Sequence, residues 1–576
     1  MKRLICTLFA TAAMPCLLFS QSAIDAYRMS QSDLRGTARF MSMAGAFGAL
    51  GGDLSSLSQN PAGIGVYRSS ELGLTLDVDF LQSKAYNNNS LNRFNLNNIG
   101  GVATLKLGLP AVPNLNFGFT YNKRASFDRK YSGTIHNLPV SLSNYIAGIA
   151  NGYQLTEDDV AGEDGYDPYN PVGNRYVPWL PVMAYASYLI DPNVDKDGNT
   201  NWYGQYGNGT SGYGKFGVRE KGSIDDYNIV IGGNISNVVY WGMNFGITSL
   251  DYRIESSWNE NLKDAYVFNP EEGKGRVEQM DADWTLKDLY HMSGTGFNYQ
   301  LGVIVKPIQE LRLGFAFHTP TFYNLEQTMD YAYIDFNYPF KRGQGTADAN
   351  GGMSAYDNVN FRTPWKIIAS VAGVIGNSFI LSFDYEWNGY KHMKYSNPDY
   401  DYYYPYDPGY DWGWDYDWGY DWDYMANAPK KAATRTPGAP VSVSDPISNA
   451  NSQIREIYRN SSTIRLGGEW RVTPNFSIRA GYSYSTSPVS DSARSAYIDA
   501  VGVRTNYTLD NDANFVTAGL GYRYKGFYAD LAYVFKRQSS EYYAFSPDAG
   551  DIANSLVRQK LTFDTNRLAL SIGIKF

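Results

Sequence analysis

Cysteine and histidine are nearly missing from this chain. Cys6 and Cys16 are its two cysteines. Both lie in the N-terminal apolar stretch, so a chain processed beyond that stretch forms no disulfide and no thiolate-ligated metal site. The four histidines, His136, His291, His318 and His392, are each isolated from one another and from any serine-centred motif. Nucleophilic hydrolysis needs an activated nucleophile beside a paired base, and no such set is legible. The chain reads as a non-enzyme without a cofactor. Long apolar runs are also missing. A spanning helix needs about 20 consecutive apolar residues, and the one apolar stretch, Leu4 to Phe19, is broken by Pro15. With Lys2 and Arg3 ahead of it and Ser20-Gln21 or Ala23-Ile24 as cleavage points, it reads as a secretory signal over residues 1–20. Met14-Pro15 stands where a lipoprotein would carry small residues before its cysteine. A basic face is lacking as well. The formal charge is −8, or −10 once Lys2 and Arg3 are removed, which argues against a nucleic-acid partner.

Aromatic residues and glycine are abundant: 15% aromatic, with 49 Tyr and 28 Phe, and 56 Gly. From residue 71 onward the pattern has a period of two. Leu72, Leu74, Leu76, Val78 and Phe80 share one face, with Gly73, Thr75, Asp77 and Asp79 on the other. Leu115, Phe117, Phe119 and Tyr121 likewise oppose Asn116, Gly118, Thr120 and Asn122. The alternation also runs through 103–109 and recurs near 225–236, 240–254, 295–306, 311–323, 362–375, 378–392, 461–473, 475–486, 514–525, 526–537 and 561–576, which predicts about fourteen strands.

The connections sort by length. Six are tight, among them Asn237–Val239 and Lys525–Gly526. The long ones are 132–224, 255–294 and 391–460. Short turns at one end and long loops at the other are the pattern of an outer-membrane β-barrel, whose strands cross with about 9–11 residues, apolar toward lipid and polar inward. A secreted sandwich or propeller would also alternate, but its loops would not sort this way. The last strand ends at Phe576 on the lipid-facing register, the place of a barrel-assembly signal. The predicted fold is therefore all-β: an antiparallel transmembrane barrel over 71–576 in the outer membrane of a Gram-negative bacterium. Its surroundings would be lipid, lipopolysaccharide and the barrel assembly machinery, with a monomer favoured.

Residues 21–70 precede the first strand and are too few for a domain. A barrel this wide cannot be filled by its own side chains, so this segment reads as a plug inside the lumen. Gly45, Gly48, Gly51 and Gly52 permit tight backbone paths, and Pro61 forces Asn60 away from helix. The stretch GTARFMSMAGAFGALGGDLSSLSQNPAGIGVY, followed by fourteen strands, resembles the FadL/TodX family of long-chain fatty-acid and hydrophobic-compound transporters of Gram-negative outer membranes, in the form common in Bacteroidetes-type envelopes. By motif the resemblance covers residues 36–68, with the Asn-Pro-Ala motif at Asn60, Pro61 and Ala62, then Gly63. It implies a hatch that closes the lumen, capture of a hydrophobic ligand by extracellular loops, and sideways exit through a kink in the third strand. Gly118 is the candidate for that kink, against an ordinary lumen-facing glycine.

The apolar candidates for ligand contact are Phe47, Leu50 and Leu54 in the plug, and Trp179, Leu180, Met183 and Tyr185 in the first long loop. Leu142, Tyr145, Ile146 and Ile149 lie upstream at near-helical spacing. The alternative for this loop is self-packing over the barrel mouth. Asn193, Asp195, Asp197 and Asn199 have calcium-loop spacing, but the twelfth position is Gly204 instead of Glu, so an Asx-rich turn competes with a metal site. Segment 399–424 carries eight Asp and no Lys or Arg among Tyr and Trp. It is either a biased loop or a sticky lip. Passive uptake of hydrophobic small molecules such as long-chain fatty acids is the leading function. The alternatives are a docking partner for secreted proteins and a barrel-anchored surface adhesin.

Overall fold

A computed structural model describes residues 22–85, 87–162, 166–169, 177–196, 198–269, 277–340, 343–376, 378–397, 446–494, 496–498, 500, 502–548 and 555–576. Fourteen antiparallel strands form a closed wall: β1 (Glu71–Lys84), β2 (Asn88–Lys106), β3 (Asn114–Ser126, resuming at Arg129–His136), β4 (Ser211–Ile235), β5 (Val239–Phe268), β6 (Val277–Val305), β7 (Leu311–His318), β8 (Lys366–Ile375), β9 (Phe379–Asn388), β10 (Ser461–Arg471), β11 (Phe476–Ser485), β12 (Tyr507–Tyr524), β13 (Phe527–Tyr543) and β14 (Arg558–Lys575). Each pairs with the next, and β14 returns to β1 with Lys575 opposite Glu71. Closure gives backbone groups a partner without water, which the bilayer interior requires. No described helix is long and apolar enough to cross a membrane.

The alternation places each face as its chemistry demands. Phe297, Tyr299 and Leu301 of β6 point outward and are exposed, while Asn298 and Gln300 between them are buried inside. The tight turns gather at one end, which is the periplasmic end of a barrel of this kind. Asn237 and Lys525 have φ of 59° and 53°, the left-handed backbone that short hairpin turns need.

Several strands rise well above the membrane. In β5, Met243 and Ile247 face out while Asn244 and Thr248 face in. From Leu250 onward the pattern inverts: Leu250, Tyr252, Ile254, Trp258 and Leu262 are buried, and Asp251, Arg253 and Glu255 face out. Beyond the lipid the outer face meets water and the inner face meets packed loops, so hydropathy changes sides without a change in pleat. The expected loops 132–224 and 255–294 are corrected accordingly, because 211–224, 255–268 and 277–294 belong to strands. Strand pairing also continues above β7 and β8 through 322–338 and 355–362. The interruptions fall at Thr319-Pro320-Thr321 and Thr363-Pro364-Trp365, where proline has no N–H to give the ladder.

Above the wall the loops and strand extensions close into one apolar cap. It contains α3 (Leu142–Gly152), α4 (Glu157–Ala161), α5 (Trp179–Ala186) and α6 (Pro446–Ile457), as well as α1 (Ala23–Met29) from the N-terminal segment. The chain then descends through α2 (Ala38–Ser42) into the lumen and leaves it beside the C terminus, where Ser70 and Phe576 exchange backbone hydrogen bonds of 3.0 Å. Segment 399–424 lies outside the described residues.

This topology is checked by surface labelling of intact cells. A tag inserted after Asn199 should be labelled and one at Asn475 should not; labelling at Asn475 would invert the orientation.

Candidate functional site

The lumen-facing wall is polar because lipid has taken the apolar face. A plug inside it is therefore held by hydrogen bonds, ion pairs and close backbone contact. Arg35 reaches Asp77 at 3.2 Å and Asp79. Arg567 of β14 donates to Asp79 at 2.6 Å, to the Leu34 carbonyl at 2.6 Å and to Asp33 at 3.1 Å. Asn95 donates to Asp77 at 2.8 Å. On the opposite side Arg39 meets Glu469 at 3.0 Å, and Glu469 is shared with Arg479 at 2.7 Å. Asp384 accepts from the Gly48 N–H at 2.9 Å and from Gln59 at 3.0 Å. His318 lies 2.8 Å from the Gln59 carbonyl. Charges this buried are tolerable only when paired. Burial works against the charge of Asp33, but Lys536, Arg567 and Arg35 outweigh it and hold its carboxyl far below the usual carboxylate range.

The Asn-Pro-Ala motif forms a tight turn in the plug. Asn60 is extended, its side chain accepts from the Ala62 N–H at 3.1 Å, and Pro61 starts a 3-10 turn through Val66. The Asn60 amide also donates to the Gly48 carbonyl at 2.6 Å, joining the two halves of the plug. This turn lies against a row of three wall glycines, Gly232 paired with Gly242 and Gly242 with Gly302. A Cβ on Gly242 would stand 2.1 Å from the Pro61 carbonyl oxygen, and one on Gly302 would stand 1.9 Å from the Asn60 side-chain oxygen. Glycine is required there by close approach. Gly63 plays the same part inside the plug, where an added Cβ would lie 2.9 Å from Gly51.

The apolar plug residues are consumed by this seating. Phe47 packs with Phe40 at a centroid distance of 5.5 Å. Leu54 packs with Leu57, Ile64, Val102 and Val230. Neither lines the cavity above the plug or the one at the periplasmic mouth, while Leu50 borders the latter. Trp179, Leu180 and Met183 are buried in the cap, with the Trp179 indole donating to the Tyr169 carbonyl at 3.1 Å. Tyr185 donates to Glu157 at 2.8 Å. This is self-packing over the mouth. Asn193 pairs with Asn201 in a hairpin, and Asp195 accepts from the Asn199 N–H at 2.9 Å, which is turn geometry; Asp197 lies outside the described residues.

Between plug and cap is a cavity of about 260 Å³. Its lining includes Arg124, Lys366, Glu386, Arg465 and Asp510, so it is polar. It extends to the wall where β2 and β3 part. The β2–β3 ladder stops at Asn98 opposite Asn122, and residues 88–96 of β2 pair on the β1 side alone. β3 slips in register between Lys123 and Ala125 and breaks at Phe127-Asp128 before resuming against β4. Across the gap run side-chain contacts, Arg93 to Asp128 at 2.9 Å and Asn89 to Ser132 at 3.1 Å, and beside them Ser83 of β1 donates to the Lys130 carbonyl. Gly118 is not the break. It pairs regularly with Val102 and Val230 and serves as a seat for Ile64 and Leu57. The cross-strand glycine row and the break were missed in the sequence, although Gly232, Gly242 and Gly302 stand at lumen-facing positions of their strands.

A closed, plugged barrel with a polar lumen and a side gap defines an outer-membrane channel. Residues 260–576 match the family described as outer membrane protein transport protein (OMPP1/FadL/TodX), and the chain belongs to that family. Among solved structures it is similar to a FadL homologue of Pseudomonas aeruginosa (13% identity, 95% of this chain and 99% of that chain, TM-score 0.45). It is also similar to the toluene transporters TbuX of Ralstonia pickettii (12%, 94% and 99%, 0.41) and TodX of P. putida (12%, 94% and 99%, 0.40). No curated protein matches the chain.

Gly242→Ala should unseat the Asn-Pro-Ala turn, at a cost of about 1–3 kcal/mol for overpacking, while the wall still assembles. The measurement is planar-bilayer conductance, which should rise. Asp33→Asn should also leak more than the parent. Because the folded-state pKa of Asp33 is depressed, its contribution is complete above the unfolded value of about 4 and declines as pH falls below that. The conductance difference between parent and D33N should be constant from pH 8 to 5 and shrink in stronger acid.

Proposed function

We propose that the protein is a passive outer-membrane channel for amphipathic hydrophobic molecules, long-chain fatty acids foremost, with the N-terminal segment 21–70 as its hatch and the β2–β3 gap as its exit into the membrane. The observation that carries this reading is the 260 Å³ cavity reaching a stretch of wall without a backbone ladder. A route down the axis meets the ion-paired plug. A route sideways crosses only side-chain contacts, and outside it Phe94 and Leu96 of β2 face the lipid, 69% and 39% exposed. The cavity's charged lining favours a ligand with an ionised head over a bare hydrocarbon, since a hydrocarbon there would leave those groups desolvated without a partner.

The test closes the gap covalently. With the leader removed the chain has no cysteine of its own, so Asn89→Cys with Ser132→Cys introduces one disulfide across β2 and β3. Uptake of a labelled long-chain fatty acid by cells carrying this variant should drop several-fold when oxidised and recover with reductant. Unchanged uptake in the oxidised form would place the exit elsewhere.

A further inference from the structure

The periplasmic mouth holds a second cavity, of about 320 Å³, between the plug and the turns of the wall. Its lining brings together Arg39 and Arg68 from the plug with Arg312, Arg471, Arg523 and Lys575 from the wall, and it contains no carboxylate. Two of these cations are neutralised nearby: Arg39 by Glu469 at 3.0 Å and Lys575 by Glu71 at 2.9 Å. Three are not. Arg68 donates only to the neutral Asn114 side chain, at 3.0 Å. Arg312 donates to the Leu50 carbonyl at 2.7 Å, and its Nε is buried without a partner. No carboxylate lies within ion-pair distance of Arg68, Arg312 or Arg523 among the described residues. Like charges gathered in a partly enclosed space repel, and repulsion here acts between the plug and the wall that holds it.

We propose that this cavity is an anion site for a phosphate group, bound from the periplasmic side and bridging plug to wall. Guanidinium forks match phosphate oxygens bidentately. Three unneutralised guanidiniums exceed what the two oxygens of a carboxylate take up, whereas phosphate offers more acceptors. Leu50, Val66, Val374 and Ile380 also line it, so an acyl chain has an apolar surface beside the charged head. The phosphate belongs either to an anionic phospholipid of the inner leaflet or to the free ion. Bound, it converts plug–wall repulsion into attraction and holds the hatch shut at its lower edge. This goes beyond the transport reading and does not depend on which molecule the channel admits.

The test is calorimetric titration of the purified full-length barrel in a maltoside detergent at 100 mM salt, with inorganic phosphate, dihexanoyl phosphatidylglycerol and zwitterionic dihexanoyl phosphatidylcholine as probes. Saturable binding of phosphate and of the glycerol lipid, weakened at least tenfold in Arg312→Gln/Arg523→Gln, would establish a phosphate site open to the free ion. Binding of the glycerol lipid without free phosphate or the choline lipid, lost in the same variant, would assign it to an anionic headgroup. Binding of neither anionic probe, binding unaffected by the substitutions, or equal binding of the choline lipid would overturn the proposal. Arg523→Gln alone removes a side chain with no hydrogen bond or ion pair among the described residues, so it guards against misfolding of the double variant. Heat-modifiable gel mobility reports assembly, and Arg312→Lys/Arg523→Lys should keep part of the affinity.

Discussion

The structure depends on one constraint: a wall that gives its apolar face to lipid has only a polar face left for whatever fills its lumen. The plug therefore cannot be seated by burial of grease alone. Arg35 and Arg567 share Asp33, Asp77 and Asp79 on one side, and Arg39 and Arg479 share Glu469 on the other. Each carboxylate is claimed by both partners or by a second cation. Removing one member would strand a buried charge, which costs far more than the pair itself contributes. Where no ion pair falls, the plug uses glycine, and the row Gly232, Gly242 and Gly302 lets main chain lie on main chain.

The same constraint separates lumen from cap. Along β5 the inward positions change from Asn244 and Thr248 below the membrane surface to Leu250, Tyr252 and Trp258 above it, on one continuous strand. The apolar cap thus stands directly over a charged cavity. The gap beside β2 lies at the level where the two regimes meet, and its bridging contacts, such as Arg93 to Asp128, are of the kind that part more readily than a ladder of backbone bonds.

The two ends of the plug are held differently. Its upper end is locked into the cap, where Arg504 reaches Asp25 at 2.7 Å and Arg28 reaches Asp510 at 2.9 Å. Its lower end meets an excess of positive charge at the mouth.

The amino-acid sequence by itself determined the wall. Period-two alternation, glycine- and asparagine-bearing turns and loops sorted by length depend on local chemistry and on which solvent each face meets, so the fourteen strands and the small-residue plug segment were legible. Strand ends in β4, β5 and β6 were not, because the alternation changes sides above the membrane and local pattern cannot tell a change of solvent from a loop. Only the tertiary structure decided the seat of Asn60-Pro61-Ala62, the break at Phe127-Asp128 in place of Gly118, and the burial of Phe47, Leu54 and Trp179 in packing. Each depends on residues brought together from distant strands. A glycine in a strand reads the same whether it faces open lumen or the carbonyl of Pro61, and only closure of the barrel brings that carbonyl against it.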